Sequence, residues 1–285
     1  MNRLRILAAA MVASTVVFIT GCPPKVVPDR EQPRKIYLSA TPDELLSRLA
    51  KRNQAITGLQ ARGKIAYRFT YSRRNYRDAE VRFLFVKPDH VYVRGSAHLV
   101  GTVFVLRSNG VRFWAEVPSD KKVYTGAVQS TPRLEGKVEI WDGLNPAVLA
   151  EALLLDDLKN YRTICATFPN RYIIDLLDDS SGGMLALRRR IEFERESLHI
   201  VRHQVFGEEG EVVTDAYLYR YRDVAGVEIP TLYRIERHWE ELSLRLDLDE
   251  VKLNPDSDQE LFRYQVPAGF QVEDLDERRE IAEPS

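Results

Sequence analysis

Between residues 242 and 249, leucine takes every second position: Leu242, Leu244, Leu246 and Leu248 alternate with Ser243, Arg245, Asp247 and Asp249. A period of two belongs to a β-strand, and this strand has one apolar and one charged face, so its sheet is dry on one side and wet on the other. The same period runs through much of the chain. "LQARGKIAYRFTYS", "AEVRFLFV", "HVYVRG", "GTVFVLRS", "VRFWAEV" and "KKVYTG" read as strands, and so do "YRTICATF", "RYIIDLL", "MLALRRRIEFE", "LHIVRHQVF", "VVTDAYLYRY" and "IPTLYRIERHW". Tyr217, Tyr219 and Tyr221 form a second one-face stripe, opposite Ala216 and Leu218. Short turn signals divide these runs, among them Lys87-Pro88-Asp89 and Pro118-Ser119-Asp120. Asn109-Gly110 predicts a tight hairpin with both central residues at positive φ. About a dozen strands with hairpin-like connections predict an antiparallel sheet.

Two segments change period. Thr41-Pro42-Asp43-Glu44 offers an N-cap threonine, proline at the first helical position and a glutamate three residues after the cap. Leu45, Leu46, Leu49 and Ile56 follow at helical spacing with Arg48, Lys51 and Arg52 between them, an amphipathic helix of about four turns. Asn145-Pro146 caps a second helix, "AVLAEALLL". Residues 22–40 carry Pro23, Pro24, Pro28 and Pro33 among charges and read as an extended tether. Residues 273–285 are acidic, lack aromatics and are predicted to be disordered. The fold class is therefore α+β and mainly antiparallel β, with one domain over residues 41–272. So few helices cannot cover a long apolar face: the sheet curls on itself, or its concave side holds a ligand.

The N-terminus sets the address. Arg3 and Arg5 precede an apolar run from Ile6 to Thr20, shorter than the ~20 residues that span a bilayer, which is the pattern of a secretory signal over residues 1–21. Its end, Ile19-Thr20-Gly21-Cys22, resembles the bacterial lipobox. That resemblance implies cleavage before Cys22 and acylation of its thiol and new amine; the competing reading is an uncleaved anchor with an incidental cysteine. Several acyl chains, palmitate among them, hold a protein on a membrane, since each buried CH₂ contributes about 0.8 kcal/mol. Loss of Arg3 and Arg5 takes the 41 Lys and Arg to 39 against 42 acids, a formal charge of −3 on the remaining 264 residues. That balance supplies no basic face for nucleic acid. With Cys22 acylated, Cys165 has no partner and no disulfide braces the fold.

Chemistry is sparse. Gly-x-Ser-x-Gly, Gly-x4-Gly-Lys, Cys-x-x-Cys and His-Glu-x-x-His are all missing. Cys165 reads as a small buried core residue. His199 and His203 lie four apart on a strand, about 13 Å by the strand rise, too far for one metal ion, and read as satisfied or surface histidines. Arg188-Arg189-Arg190 reads as a solvated face, and Asp156-Asp157 and Asp178-Asp179 as turn residues. The expectation is a protein that is not an enzyme and takes no cofactor and no metal. "SAHLVGTV" stands out, because Leu99 and Val100 fall at a hairpin tip where polar residues are favoured. Either the tip folds back onto the core, or it touches lipid or a carrier protein.

The helix with "LQARGKIAYRF", the block "KPDHVYVRGSAHLVGTVFVLRSNGVRFWAEVPSDKKVYTG" and the end "GVEIPTLYRIERHWEELSLRLDLDEVKLNPDSDQELFRYQVPAGFQV" resemble the LolA/LolB superfamily of lipoprotein-localisation factors, with RseB-like relatives. The resemblance spans most of residues 43–272. It implies an unclosed half-barrel, a strongly curved antiparallel sheet with a few lid helices, whose hollow takes acyl chains; Leu242, Leu244, Leu246 and Leu248 are the candidates to line it. A lipobox is similar to the receptor member, LolB, and "AHLVG" falls where that receptor carries a protruding apolar loop, so Leu99 and Val100 become the candidate membrane- or lipid-contacting pair. The chain departs from the family in its length and in an insert at about residues 126–155. Pro23 after Cys22, where aspartate signals inner-membrane retention, favours the outer membrane facing the periplasm. Implied partners are the membrane through Cys22, a lipid or acylated protein, and a periplasmic carrier. An envelope sensor or scaffold on the same fold is the alternative, and an enzyme built from residues read as structural is a third reading.

Overall fold

The computed structural model describes residues 36–69, 76–128, 145–154, 161–179, 184–238 and 241–277. Cys22, Asp156 and Asp157 lie outside them, as does most of the insert. Fourteen strands among the described residues form one sheet in the order β14-β6-β5-β4-β3-β2-β1-β13-β12-β11-β10-β9-β8-β7. They are β1 Gly58–Phe69, β2 Tyr76–Val86, β3 His90–Ala97, β4 Gly101–Asn109, β5 Arg112–Val117, β6 Lys122–Ala127 and β7 Arg162–Thr167. The second half comprises β8 Arg171–Asp179, β9 Leu185–Glu194, β10 Ile200–Phe206, β11 Val212–Val224, β12 Val227–Arg237, β13 Leu242–Leu253 and β14 Gln271–Asp274. The edges, β14 and β7, do not pair, so the sheet is unclosed. Apart from β14 on β6, every pairing is antiparallel.

The leucine stripe is the centre of the inner face. Leu244 pairs with Tyr67 and Ile235, and Leu246 with Ile65 and Tyr233, all of them buried. Gly63 lets the two central strands close up: a Cβ there would stand 2.0 Å from the Asp247 carbonyl oxygen. On the outer face the apolar side chains give way to ion pairs. Arg202 grips Asp215 at 2.7 and 2.8 Å, and Arg190 grips Asp175 at the same two distances.

Helix α1, Pro42–Ala55, begins on the capping box read from the sequence, with Glu44 N–H donating to Thr41 Oγ1 and Thr41 N–H to Glu44 Oε2. Its Leu45 and Leu49 are buried in the sheet's core. Asn254 fixes its far end: Oδ1 accepts from the N–H groups of Thr57 and Gly58, and Nδ2 donates to Ala55 O. Helix α2, Pro146–Ala152, is capped by the Asn145 side chain, which accepts from Ala147 N–H, and it buries Val148 and Leu149.

Several expectations are corrected. The domain does not end at residue 272: Glu273 and Asp274 belong to β14, and Leu275 is buried. The Asn109 hairpin forms with only Gly110 at positive φ; its two-residue loop is Gly110-Val111, and Asn109 Oδ1 accepts from Val111 and Arg112 N–H instead. Arg220, at φ +53°, breaks the alternation of β11, so Tyr217 and Tyr219 stack while Tyr221 packs on the core. Asp178 and Asp179 close a strand, facing Arg188 and Arg162.

Candidate functional site

The hairpin of β3 and β4 carries the apolar pair. Residues 98–100 turn between Ala97 and Gly101, with Val100 N–H donating to Ala97 O at 3.1 Å. Gly101 takes φ +78°, a left-handed conformation that a side chain would strain. Beneath the tip, Arg94 donates through Nε and Nη2 to Thr102 Oγ1 at 3.1 and 2.6 Å and ties the two strands together. Leu99 is 94% and Val100 72% exposed, so the tip does not fold back on the core.

At the opposite rim of the sheet, a cavity of about 400 Å³ opens between the second half of α1 and the β9–β10 and β11–β12 turns. Its apolar lining comes from Leu49, Phe193, Leu198, Ile200 and Val227. Tyr221 and His199 form one wall, their rings stacked 4.0 Å apart at 11°. The Tyr221 hydroxyl donates to Ile200 O at 2.8 Å, and burial pushes its pKa far above the usual phenol range, which keeps it a donor. His199 Nε2 lies 2.9 Å from Glu228 Oε1, so the single carboxylate of the lining already has a partner. The other wall is cationic: Arg48, Lys51 and Arg52. Arg52 reaches across to α2, where Leu153 O and Leu154 O accept from its guanidinium at 3.4 and 3.5 Å.

No protein-family model matches the sequence, and no curated protein matches it. Among solved structures, a DUF1329 family protein from Desulfovibrio piger superimposes with a TM-score of 0.54 at 13% identity, covering 78% of this chain and 97% of that one. A LolA superfamily protein from Nitrosomonas europaea superimposes with a TM-score of 0.50, also at 13% identity, over 77% and 97% of the two chains. The fold is LolA-like. At such identity the likeness is one of architecture, a curved antiparallel sheet with few helices.

In this LolA-like frame the leucine stripe is packed core. Leu242, Leu244, Leu246 and Leu248 are 0–2% exposed, and none of them lines the cavity under α1; its lining comes from α1 itself and from β9–β12 and their turns. Those lining residues carried no sequence signal beyond ordinary strand alternation, and Arg48, Lys51 and Arg52 read only as the polar stripe of a helix. A second cavity, about 540 Å³ beside the β10–β11 turn, is lined by both charges, including Arg189, Arg237, Glu151 and Glu211. Arg189 there is buried and stands 3.6 Å from Glu151, so it belongs to no solvated face, while Arg188 and Arg190 are half-buried and paired with Asp178 and Asp175. Cys165 is half-buried on β7 rather than deep in the core, and burial raises its thiol pKa. His203 is fully buried with neither ring nitrogen hydrogen-bonded, and burial beside the Arg189 charge pushes its pKa well below the usual value. It is neither satisfied nor on the surface. No cluster of three metal-ligating side chains and no helix able to cross a membrane occurs among the described residues.

Proposed function

We propose that this chain is a cell-envelope lipoprotein, cleaved before Cys22 and acylated there, that handles acyl chains of lipids or of other lipoproteins at the periplasmic face of the outer membrane. The observation that carries this reading is the exposed pair Leu99 and Val100, held in water at the end of a braced hairpin. Nothing in the domain's own packing is served by that placement, and exposed apolar side chains gathered at one projecting point suit contact with a lipid phase or an apolar partner surface. The cavity under α1 supports it, since about 400 Å³ falls in the range of roughly 300–1,000 Å³ typical of small-molecule sites.

The mechanism needs no bond chemistry. Acyl methylenes leave water for the apolar lining at about 25 cal/mol per Å² of area removed from water. A whole chain needs more room, so α1 and α2 move off the sheet, and the leucine stripe becomes part of the binding surface. The long Arg52 contacts to Leu153 and Leu154 are weak enough to break when that happens. The Leu99-Val100 tip then meets the membrane or a carrier during hand-over.

Native mass spectrometry of the chain lacking residues 1–22, expressed in a Gram-negative periplasm, tests the reading. Co-purified acyl lipid is expected. A domain that emerges empty, and stays empty after incubation with acylated cargo, points instead to a sensor or scaffold that binds a protein segment.

A further inference from the structure

The geometry points to a headgroup preference: the cavity under α1 takes an anionic amphiphile, an acyl chain ending in an oxyanion, with the oxyanion against Arg48, Lys51 and Arg52. The proposal rests on the acyl-handling reading and adds the charge of the ligand to it.

The cavity is divided by chemistry. Leu198, Ile200, Phe193 and Val227 supply an apolar floor, while the three cations come from successive turns of one helix and lie together along the opposite wall. Arg48 and Lys51 have no carboxylate within ion-pair distance among the described residues, although acids abound in this protein and nearly every arginine of the neighbouring strands is paired. Arg52 has a further N–H: its Nε is shielded from solvent and has no acceptor among the described residues. Glu228, the one acid in the lining, is engaged by His199. The C-terminal ends of α1 and α2 each contribute about half a negative charge, and three full positive charges exceed them. What remains is a net positive rim over an apolar floor. That combination stabilises a phosphate or carboxylate whose attached methylenes reach inward, and it gives no such gain to a zwitterionic headgroup, whose own cation neutralises the rim's advantage.

The full chain, held in phosphatidylcholine nanodiscs, is titrated with hexyl phosphate, hexyl phosphocholine and inorganic phosphate. Binding is read as hydrogen–deuterium exchange protection in peptides covering residues 45–55 and 193–200. Hexyl phosphate is expected to bind at least about tenfold more tightly than hexyl phosphocholine, the ratio one charge-assisted contact supports. The double change Arg48→Glu with Lys51→Glu, at two exposed positions, is expected to erase that ratio. Equal binding of the two amphiphiles by the unaltered chain overturns the headgroup preference and leaves acyl handling standing. Inorganic phosphate protecting the same peptides at the same concentration overturns the amphiphile in favour of a free anion. Binding of neither amphiphile overturns both readings together.

Discussion

His203 is fully buried, with neither ring nitrogen hydrogen-bonded among the described residues. It lies between Ile191 and Ala216 of the flanking strands, and the nearby Arg189 charge adds to the penalty that burial places on its protonation. Its folded-state pKa is depressed, so below the ordinary value of about 6.5 the unfolded chain takes up a proton that the folded chain refuses. Stability therefore falls as pH drops below 6.5. Between pH 7.5 and 5.5 this one group removes up to about 1.4 kcal/mol. Replacing it with leucine ends the proton uptake and also removes two unpaired ring nitrogens. Urea unfolding of His203→Leu and the unaltered protein at both pH values checks this: the variant's advantage is expected to widen at pH 5.5, by up to about 1.4 kcal/mol. Parallel pH profiles would remove His203 from the account. The sequence had no means of separating the two histidines. His199 finds Glu228 on strand β12, 29 residues away, while His203 pairs with Ile191 and Ala216 and feels the Arg189 charge.

At the scale of elements, local signals were legible and distant ones were not. The capping box of α1 is written within four residues and forms as read. The alternation that names β1–β13 reports a one-sided sheet, and the structure builds one. Strand β14 was missed because its partner, β6, lies about 150 residues earlier and the pairing is parallel. Its acidic residues suggested disorder, yet Asp274 meets Arg112 at 2.6 Å, Glu273 meets Lys122 at 3.3 Å, and Asp276 accepts from Ala127 N–H at 2.8 Å. Each acid is ordered by a cation or backbone group of the first half of the chain. Removing residues 271–285 strips Leu275 from the core, worth about 1.5–3 kcal/mol, and bares the β6 edge to other chains. Thermal unfolding is expected about 5–10 °C lower for a domain of this size, with self-association visible by size-exclusion chromatography. An unchanged, monomeric truncation would mean that β14 is not needed to close that edge.

For the whole molecule, the exposed tip and the reach of residues 22–35 bear on the same hand-over. The exposed position of Leu99 and Val100 was legible, since two apolar residues at a turn stand out in any frame; the cavity was not, because it is assembled from α1 and two turns that no local pattern brings together. The chain joins the sheet where Leu38 N–H donates to Arg195 O, at the β9–β10 rim, whereas Leu99 and Val100 project from the other rim. The fourteen residues from Cys22 to Lys35 span at most about 45–50 Å when extended, against about 27 Å for the eight residues of β3. A domain acylated at Cys22 therefore has enough chain to bring the far rim down to the bilayer that anchors it. If the tip delivers lipid there, changing Leu99 and Val100 to glutamate together exchanges two membrane-compatible side chains for two charges. Folding should barely notice, within about 0.5 kcal/mol, because both positions are exposed. Transfer of a lipidated cargo into vesicles should drop by more than about tenfold, since each of the two apolar side chains is worth about 1.5–3 kcal/mol when buried. The conservative pair Leu99→Met with Val100→Ile should keep most of the transfer rate, which separates apolar contact from any effect of the turn's shape. Transfer left intact by the two glutamates, with the fold intact, would take the hand-over role away from this hairpin.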